Sequence, residues 1–207
     1  MTISHEKKLI FIHVPKNAGC SIIKSMGVEN RFNDVSLDDY KIHYKEYWEE
    51  YTKFAVVRDP IDRFISVYKY SRMEKSEYIA SAGKHAGDWP HEHYDLCIKF
   101  DINEYVDYLY RSKDKKSHNI WTIPQSFMVL NMKNEIEVDY IARFENLSED
   151  LKKIGIDKIE KLNSSKINDN NLIKLTERSI GMLYKMYDID YKNFSYTMDI
   201  GKTLLYC

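Results

Sequence analysis

The chain has 207 residues, enough to bury a hydrophobic core, and this length predicts a single domain over residues 1–207. Its 43% hydrophobic and 30% charged residues exclude bulk disorder, and its 7 glycines and 4 prolines exclude collagen-like or linker-rich chains. The formal net charge of −1 excludes the strongly basic surface of a typical nucleic-acid-binding protein. No apolar run approaches the ~18 residues of a membrane span, and three well-separated cysteines favour a reducing compartment (Cys20, Cys97 and Cys207). We therefore expect a cytoplasmic protein that neither spans a membrane nor binds nucleic acid.

The first predicted element is a buried strand over residues 9–14 (LIFIHV), a short apolar run that contains β-branched side chains. A tight loop over residues 15–20 follows it, and a short helix over residues 21–26 ends where Gly27 permits a turn. Residues 37–52 have a helical pattern, because tyrosines recur there at spacings of three and four positions (Tyr40, Tyr44, Tyr47 and Tyr51).

A second buried strand is predicted over residues 54–57, and Pro60 suits the first turn of the helix that comes next. Ser66 lies off the apolar stripe of that helix, which is formed by Ile61, Phe64, Ile65 and Tyr68. Residues 76–99 hold three histidines without sustained periodicity. They are interpreted as a long excursion, a kind of segment that is often functional.

The alternation of strands and helices continues to the end of the chain and predicts an α/β fold with a parallel sheet. The loops after strands 9–14 and 54–57 are expected at the carboxyl edge of this sheet, where ligands bind. The remaining predicted elements are a helix near 102–112 with a capping box at Asp101 and Glu104, a helix starting within 119–132, a strand within 138–144, a helix capped by Asn146 and Glu149 and ended by Gly155, and a helix over 176–187.

The first segment that carries chemistry is HVPKNAGCS, residues 13–21, in which a strand, a lysine-bearing loop and the start of a helix follow one another. Backbone N–H groups at such a turn form an anion nest, and Lys16 adds a positive charge on a flexible stem. The segment is not a Walker A loop, because the lysine of GxxxxGK[ST] follows the second glycine, whereas Lys16 precedes Gly19 by three residues. The spacing alone fits an ordinary strand-to-helix turn equally well.

The second such segment is AVVRDPIDRFISVYKY, residues 55–70, in which a strand ends in Arg58 and the next helix carries Ser66. An arginine guanidinium is a rigid fork that binds phosphate through two hydrogen bonds. The alternative is an ion-pair network at the strand end, which we favour for Asp59 and Arg63.

Together the two segments resemble the nucleotide-binding signatures of sulfotransferases that use PAPS (3′-phosphoadenosine 5′-phosphosulfate). HVPKNAGCS is similar to the 5′-phosphosulfate loop, commonly HxPKTxGTS, and VVRDPIDRFISVY is similar to the 3′-phosphate pattern RxPxxRxxSxY. Asn17 and Cys20 depart from the usual loop, where threonine is common. Three later stretches resemble the carbohydrate-type and bacterial branch of the family: WTIPQ (121–125), VDYIARFEN (138–146) and DIDYKNFSY (188–196).

This resemblance implies a P-loop-NTPase-like three-layer fold, with a central, mostly parallel sheet flanked by helices. It implies an enzyme that moves the sulfuryl group of its co-substrate PAPS to a hydroxyl of a carbohydrate or glycolipid, without a metal. Lys16 would stabilise the charge that develops on the leaving phosphate, Asn17 would hydrogen-bond a phosphate oxygen, and Cys20 would contribute its backbone N–H. The implied PAPS-binding residues are Pro15, Lys16, Asn17, Ala18, Gly19, Cys20 and Ser21 for the phosphosulfate, and Arg58 and Ser66 for the 3′-phosphate.

The acceptor hydroxyl needs a general base, and related enzymes carry a catalytic histidine between the two signatures. The resemblance therefore implies His43, although a helix-surface or core role among the tyrosines remains open. His13, on the first strand, is interpreted as structural. The HEH sequence at 91–93 has no firm further ligand nearby, so no metal site is predicted. The 76–99 excursion is assigned to the acceptor side, and an exposed surface loop remains the alternative for His85, His91 and His93. The residues predicted to line the acceptor site are His118, Trp121 and Gln125.

Two other functions stay open on the sequence alone. One is a nucleotide kinase with a variant phosphate loop, against which the missing GK[ST] argues. The other is a non-catalytic module that binds PAP, the desulfated form of PAPS, or that serves as an interaction domain.

Overall fold

The computed structural model describes residues 2–28, 36–74, 91–112, 119–159 and 173–198. The described strands are β1 (Ile3–Ser4), β2 (Leu9–Ile12), β3 (Thr52–Val57) and β4 (Tyr140–Arg143). The described α-helices are α1 (Gly19–Ser25), α2 (Leu37–His43), α3 (Pro60–Ser71), α4 (Tyr94–Lys99), α5 (Ile102–Arg111), α6 (Leu147–Lys152), α7 (Glu177–Met186) and α8 (Asp188–Phe194). Short 3₁₀ helices span Gln125–Met128 and Phe144–Asn146.

The four strands form one sheet in the order β1-β2-β3-β4. Strands β2, β3 and β4 are parallel, and β1 adds an antiparallel edge beside β2. Phe11 lies opposite Phe54, and Val57 lies opposite Arg143, so these parallel strands end at the same edge. The predicted α/β fold with a mostly parallel central sheet flanked by helices is confirmed; the antiparallel strand β1 was not predicted.

The described residues form two compact units. The first comprises residues 1–58 and 125–163, and the second comprises residues 59–124 and 164–207, each within its described ranges. The expectation of a single domain over 1–207 stays a prediction.

The core of the first unit lies between the sheet and the helices α1 and α6. The strands β2 and β3 are buried along almost their whole length, which explains why both are continuous apolar runs rather than alternating ones. The side chains that share this core are Leu9, Phe11, Ile22, Ile23, Phe54, Val56, Ala142 and Leu151.

The core of the second unit is helical. Helix α5 buries Ile102, Tyr105, Val106 and Leu109, an i, i+3, i+4, i+7 stripe that packs with side chains of α3, α4, α7 and α8. The predicted capping box is confirmed, because the Asp101 side chain accepts from the Glu104 N–H and the Glu104 side chain accepts from the Asp101 N–H.

The helix predicted over residues 37–52 is too long. Helix α2 ends at His43, and residues 44–50 form turns, because two tyrosines of the stripe are held by the N-terminal segment. The Tyr44 hydroxyl accepts from the Thr2 N–H, and the Tyr51 hydroxyl contacts His5 Nδ1 at 3.0 Å. The tertiary contacts override the local pattern.

Two predicted elements between residues 119 and 155 are also corrected. A single 3₁₀ turn at Gln125–Met128 takes the place of the helix expected from residues 119–132. The Asn146 side chain forms no cap, since a 3₁₀ turn leads directly into α6, and Asp150 of that helix accepts instead from the Arg143 N–H at 2.8 Å.

The excursion predicted over residues 76–99 is described only from residue 91. There the structure contradicts a loop, because Tyr94–Lys99 is the helix α4. His91 and His93 are buried, not exposed, and His93 Nδ1 lies 2.6 Å from the Tyr105 hydroxyl. His85 lies outside the described residues.

Candidate active site

The loop between β2 and α1 contains two non-glycine residues whose backbone is in the left-handed region. These are Lys16 at φ 70° and Ala18 at φ 64°. Such a conformation costs an L-residue roughly 1–2 kcal/mol, so the loop needs contacts that hold it. Helix α1 begins at Gly19, and the first N–H groups of an α-helix have no acceptor within the helix. The loop therefore brings Lys16 and the start of α1 together at the carboxyl end of β2.

Asn17 lies between these two residues and is completely buried. Its side-chain Nδ2 donates to the Val56 carbonyl at 2.8 Å and to Gln125 Oε1 at 2.7 Å. Because an asparagine amide carries two N–H donors, both are used inside the fold. This differs from the expectation that the Asn17 side chain hydrogen-bonds a phosphate oxygen: the side chain ties the loop to β3, and only the backbone N–H stays a predicted donor.

Gln125 is also completely buried, and its side chain spans two loops. Besides accepting from Asn17, its Oε1 accepts from the Arg58 N–H at 3.0 Å, and its Nε2 donates to the Arg58 carbonyl at 2.7 Å. These contacts turn the amide inward, and the predicted part of Gln125 in lining the acceptor site stays a prediction. The side chain joins the loop at Asn17 to the end of β3.

Lys16 carries its charge in a poorly hydrated position beside a second cation. Burial, together with a smaller effect of the neighbouring Arg58, lowers the pKa of the Lys16 ammonium to about 8, and Cys20 acts in the opposite direction. A lysine whose charge is destabilised in this way gains more than a surface lysine from an incoming anion.

Arg58 follows β3 directly and is half-buried. Its guanidinium lies over the Phe144 ring, with Cζ 4.3 Å from the ring centroid. Arg58 Nε is buried without a hydrogen-bond partner, and within the described ranges no carboxylate forms an ion pair with Arg58. Arg58 is therefore a half-buried cation whose Nε donor is unused among the described residues.

Asp59 and Arg63 have structural contacts in the second unit. The Asp59 carboxylate caps α3 by accepting from the Ile61 and Asp62 N–H groups. The fully buried Arg63 guanidinium donates to the carbonyls of Ile123 at 2.9 Å and Ile120 at 3.3 Å. These contacts are all to backbone groups, so the ion-pair network expected for both residues stays a prediction.

Ser66 and Trp121 also belong to the second unit. Ser66 is half-buried on α3. The half-buried Trp121 stacks on Tyr70, with ring centroids 5.3 Å apart at 20°, and the His91 ring meets it edge-on at 5.3 Å. Their parts in binding stay predictions, as does that of His118, which lies outside the described residues.

His43 is exposed at the end of α2. Its Nδ1 lies 2.7 Å from the Asp39 carbonyl oxygen, which can only accept, so this contact assigns the proton to Nδ1 and the lone pair to Nε2. That tautomer is the one a general base acting through Nε2 requires. His13 is buried on the strand side of the loop, and its backbone N–H donates to the Tyr40 hydroxyl, in keeping with a structural role.

Phe144 is the site residue that sequence reasoning missed. It belongs to the stretch ARFEN, which was compared with the family but given no function. The sequence signal for Phe144 is its position directly after a predicted strand: residues that directly follow the parallel strands β3 and β4 lie at the same edge of the sheet.

The decisive comparison is with protein-family models. The model described as the sulfotransferase family matches residues 1–197. The chain belongs to the sulfotransferase family. Sulfotransferases have a P-loop-like fold, which agrees with the observed sheet and confirms the expected fold class. No curated protein and no solved structure matches the sulfotransferase chain significantly.

Within the described residues, this sulfotransferase has neither a cluster of metal ligands nor a membrane-spanning helix. No group of three or more histidine, cysteine, aspartate or glutamate side chains is arranged to hold a metal ion there. In the same part of the chain, no helix is long and apolar enough to cross a membrane.

Proposed function

We propose that this sulfotransferase moves the sulfuryl group of PAPS to an acceptor hydroxyl of a carbohydrate or glycolipid. The observation that carries the proposal is the pair of adjacent cations, Lys16 and Arg58, at the carboxyl edge of the sheet. The two charges repel each other and are partly removed from water, and no carboxylate pairs with Arg58 in the described chain. An anion with several phosphate groups relieves both costs at once.

Lys16 stabilises the negative charge that develops during the reaction. As the acceptor oxygen bonds to sulfur, the bond from sulfur to the 5′-phosphate oxygen breaks and negative charge collects on that phosphate. The Lys16 ammonium stabilises this charge, and PAP leaves. The backbone N–H groups of residues 17–21, behind Pro15, bind the same phosphate.

Arg58 and Ser66 bind the 3′-phosphate in this proposal. The guanidinium donates two parallel hydrogen bonds, one of them from the buried Nε, which has no partner among the described residues, and the Ser66 hydroxyl adds one more. The match of HVPKNAGCS and VVRDPIDRFISVY to the family signatures supports this division of the two phosphates.

His43 takes the proton of the acceptor hydroxyl at Nε2. The hydrogen bond of Nδ1 to Asp39 supports this role, because it fixes the tautomer whose Nε2 is unprotonated. Positioned bases of this kind contribute about 10²–10⁴-fold to a rate.

The carbohydrate acceptor is supported by the resemblance to the carbohydrate-type branch and by the aromatic side chains in the second unit. Trp121 and His118 are proposed to contact the acceptor. The half-buried indole of Trp121 offers the kind of surface on which sugar rings pack.

The experiment that tests this function is transfer of ³⁵S from labelled PAPS to a panel of glycans and glycolipids. We expect transfer by the wild-type protein and loss of at least about 10²-fold in Lys16→Met, since the positive charge that stabilises the leaving phosphate is removed. Lys24→Met is the matched control, because Lys24 is exposed in the last turn of α1. Labelling that survives Lys16→Met, or PAP binding without transfer to any acceptor, would contradict the catalytic proposal.

A further inference from the structure

Gln125 joins the two loops that carry the cations. Its side-chain amide pairs with both the N–H and the carbonyl of Arg58, as a neighbouring strand would do beyond the end of β3. The same Oε1 accepts from Asn17, 108 positions away in the sequence. We call the pair Asn17 and Gln125 the amide brace.

The orientation of both amides is fixed by their partners. Asn17 Nδ2 faces two oxygens, those of Val56 and Gln125, so it must be the nitrogen. Gln125 faces two donors on one side and the Arg58 carbonyl on the other, so exchanging its oxygen and nitrogen would break all three hydrogen bonds. The brace therefore has one arrangement with satisfied donors.

The brace acts where the loop most needs to be held. Asn17 is the residue between Lys16 and Ala18, which both have left-handed backbone. Residues in such sparsely populated conformations persist only when surrounding contacts determine them. On the other side, the brace holds the backbone of Arg58. The contact of the Arg58 guanidinium with the Phe144 ring then sets the direction of the guanidinium N–H donors.

We infer that the amide brace is a positioning device for the donor: it fixes the spacing of Lys16 and Arg58, so that the 5′- and 3′-phosphates of one nucleotide are bound together. This inference rests on the proposed function, because it assumes that PAPS is the ligand. Gln125 and Asn17 are positioning residues, since they act through Arg58 and Lys16 without contacting the nucleotide by their side chains.

The test compares the affinities for PAP and for adenosine 5′-phosphate, which lacks the 3′-phosphate, in the wild-type protein and in Gln125→Met. We expect Gln125→Met to weaken PAP binding about tenfold, the effect of losing one hydrogen bond between Arg58 and the charged 3′-phosphate. The affinity for adenosine 5′-phosphate should change by less than about twofold, because Asn17 keeps its hydrogen bond to the Val56 carbonyl and so still holds the loop of Lys16. If the substitution only destabilised the fold, the affinities for both nucleotides would fall alike and their ratio would stay unchanged. Ser71→Ala is the control, because it removes a buried hydroxyl bonded only within α3, to Val67, among the contacts described for it.

A double-mutant cycle gives the second readout. If the brace acts through Arg58, Gln125→Met in an Arg58→Met background changes PAP affinity by less than about twofold, and the two effects are strongly non-additive. Additive effects, or a PAP preference that is intact in Gln125→Met, would overturn the brace while leaving the proposed function standing. Failure of the wild-type protein to bind PAP would overturn the proposed function itself.

Discussion

The guanidinium of Arg58 and the ring of Phe144 are stacked, with 4.3 Å between Cζ and the ring centroid. Their positions explain the contact: Val57 and Arg143 are opposite each other on the parallel strands β3 and β4, and Arg58 and Phe144 are the next residues on each. The register of two strands thus places an aromatic ring beneath the cation proposed to bind the 3′-phosphate.

Phe144→Leu is predicted to weaken PAP binding by about 2–5-fold, because a cation–π contact of this kind is worth about 0.5–1 kcal/mol. Phe144→Tyr keeps a ring and is expected to stay near wild type. Calorimetric titration with PAP measures both, and Phe127→Leu, at an exposed aromatic side chain of the same unit, is the control. Equal affinity of Phe144→Leu and wild type would show that the ring does not help to place Arg58.

Lys16→Met is predicted to raise the melting temperature of the unliganded protein at pH 7. The folded-state pKa of Lys16, about 8, lies below its ordinary value of 10.5, so the folded state binds this proton more weakly than the unfolded state does. The cost is full below pH 8, and stability from this group rises with pH between about 8 and 10.5. The gain from Lys16→Met should therefore shrink across that interval in urea unfolding measurements. A variant that is less stable than wild type at every pH would contradict the desolvated ammonium.

PAP affinity is predicted to fall as the pH rises through about 8, because the nucleotide needs the charged form of Lys16. At pH 8 binding should take up about half a proton, since half of the free protein carries a neutral Lys16. Titration in buffers of different ionisation enthalpy measures this uptake. Lys16→Arg, which stays charged, should remove the uptake and flatten the profile, and an unchanged uptake in Lys16→Arg would assign the proton to another group.

Arg63→Met is predicted to destabilise the fold by about 3–5 kcal/mol, because it removes a buried side chain and leaves the carbonyls of the half-buried Ile120 and Ile123 without its two N–H donors. Arg178→Met removes an exposed ion pair with Asp107 and should cost less than about 1 kcal/mol. Urea unfolding compares the two free energies of unfolding. Similar values for both variants would show that Arg63 does not anchor the loop that carries Trp121.

The parts of the fold that could be predicted are those encoded by local patterns. The strands β2 and β3 follow from continuous apolar runs, α3 from Pro60 and its stripe, and α5 from its capping box. The end of α2 could not be predicted, because contacts of Tyr44 and Tyr51 with the N-terminal segment decide it.

The same distinction holds for the candidate site. Lys16 and Arg58 could be singled out because each follows a buried strand in a recognisable pattern. The roles of Asn17 and Gln125 could not, since hydrogen bonds between residues 108 positions apart leave no local signal. The contact of Phe144 with Arg58 depends on strand register, which is a property of the folded sheet.

Calorimetric titration of the wild-type protein and of Arg58→Met with PAP and with adenosine 5′-phosphate tests the central claim most directly. The account predicts that the wild-type protein binds PAP about 10–100-fold more tightly than adenosine 5′-phosphate, the effect of charge-assisted hydrogen bonds to the 3′-phosphate. It predicts that Arg58→Met loses this preference and retains its affinity for adenosine 5′-phosphate. Equal binding of the two nucleotides by the wild-type protein, or a full preference for PAP in Arg58→Met, would contradict it.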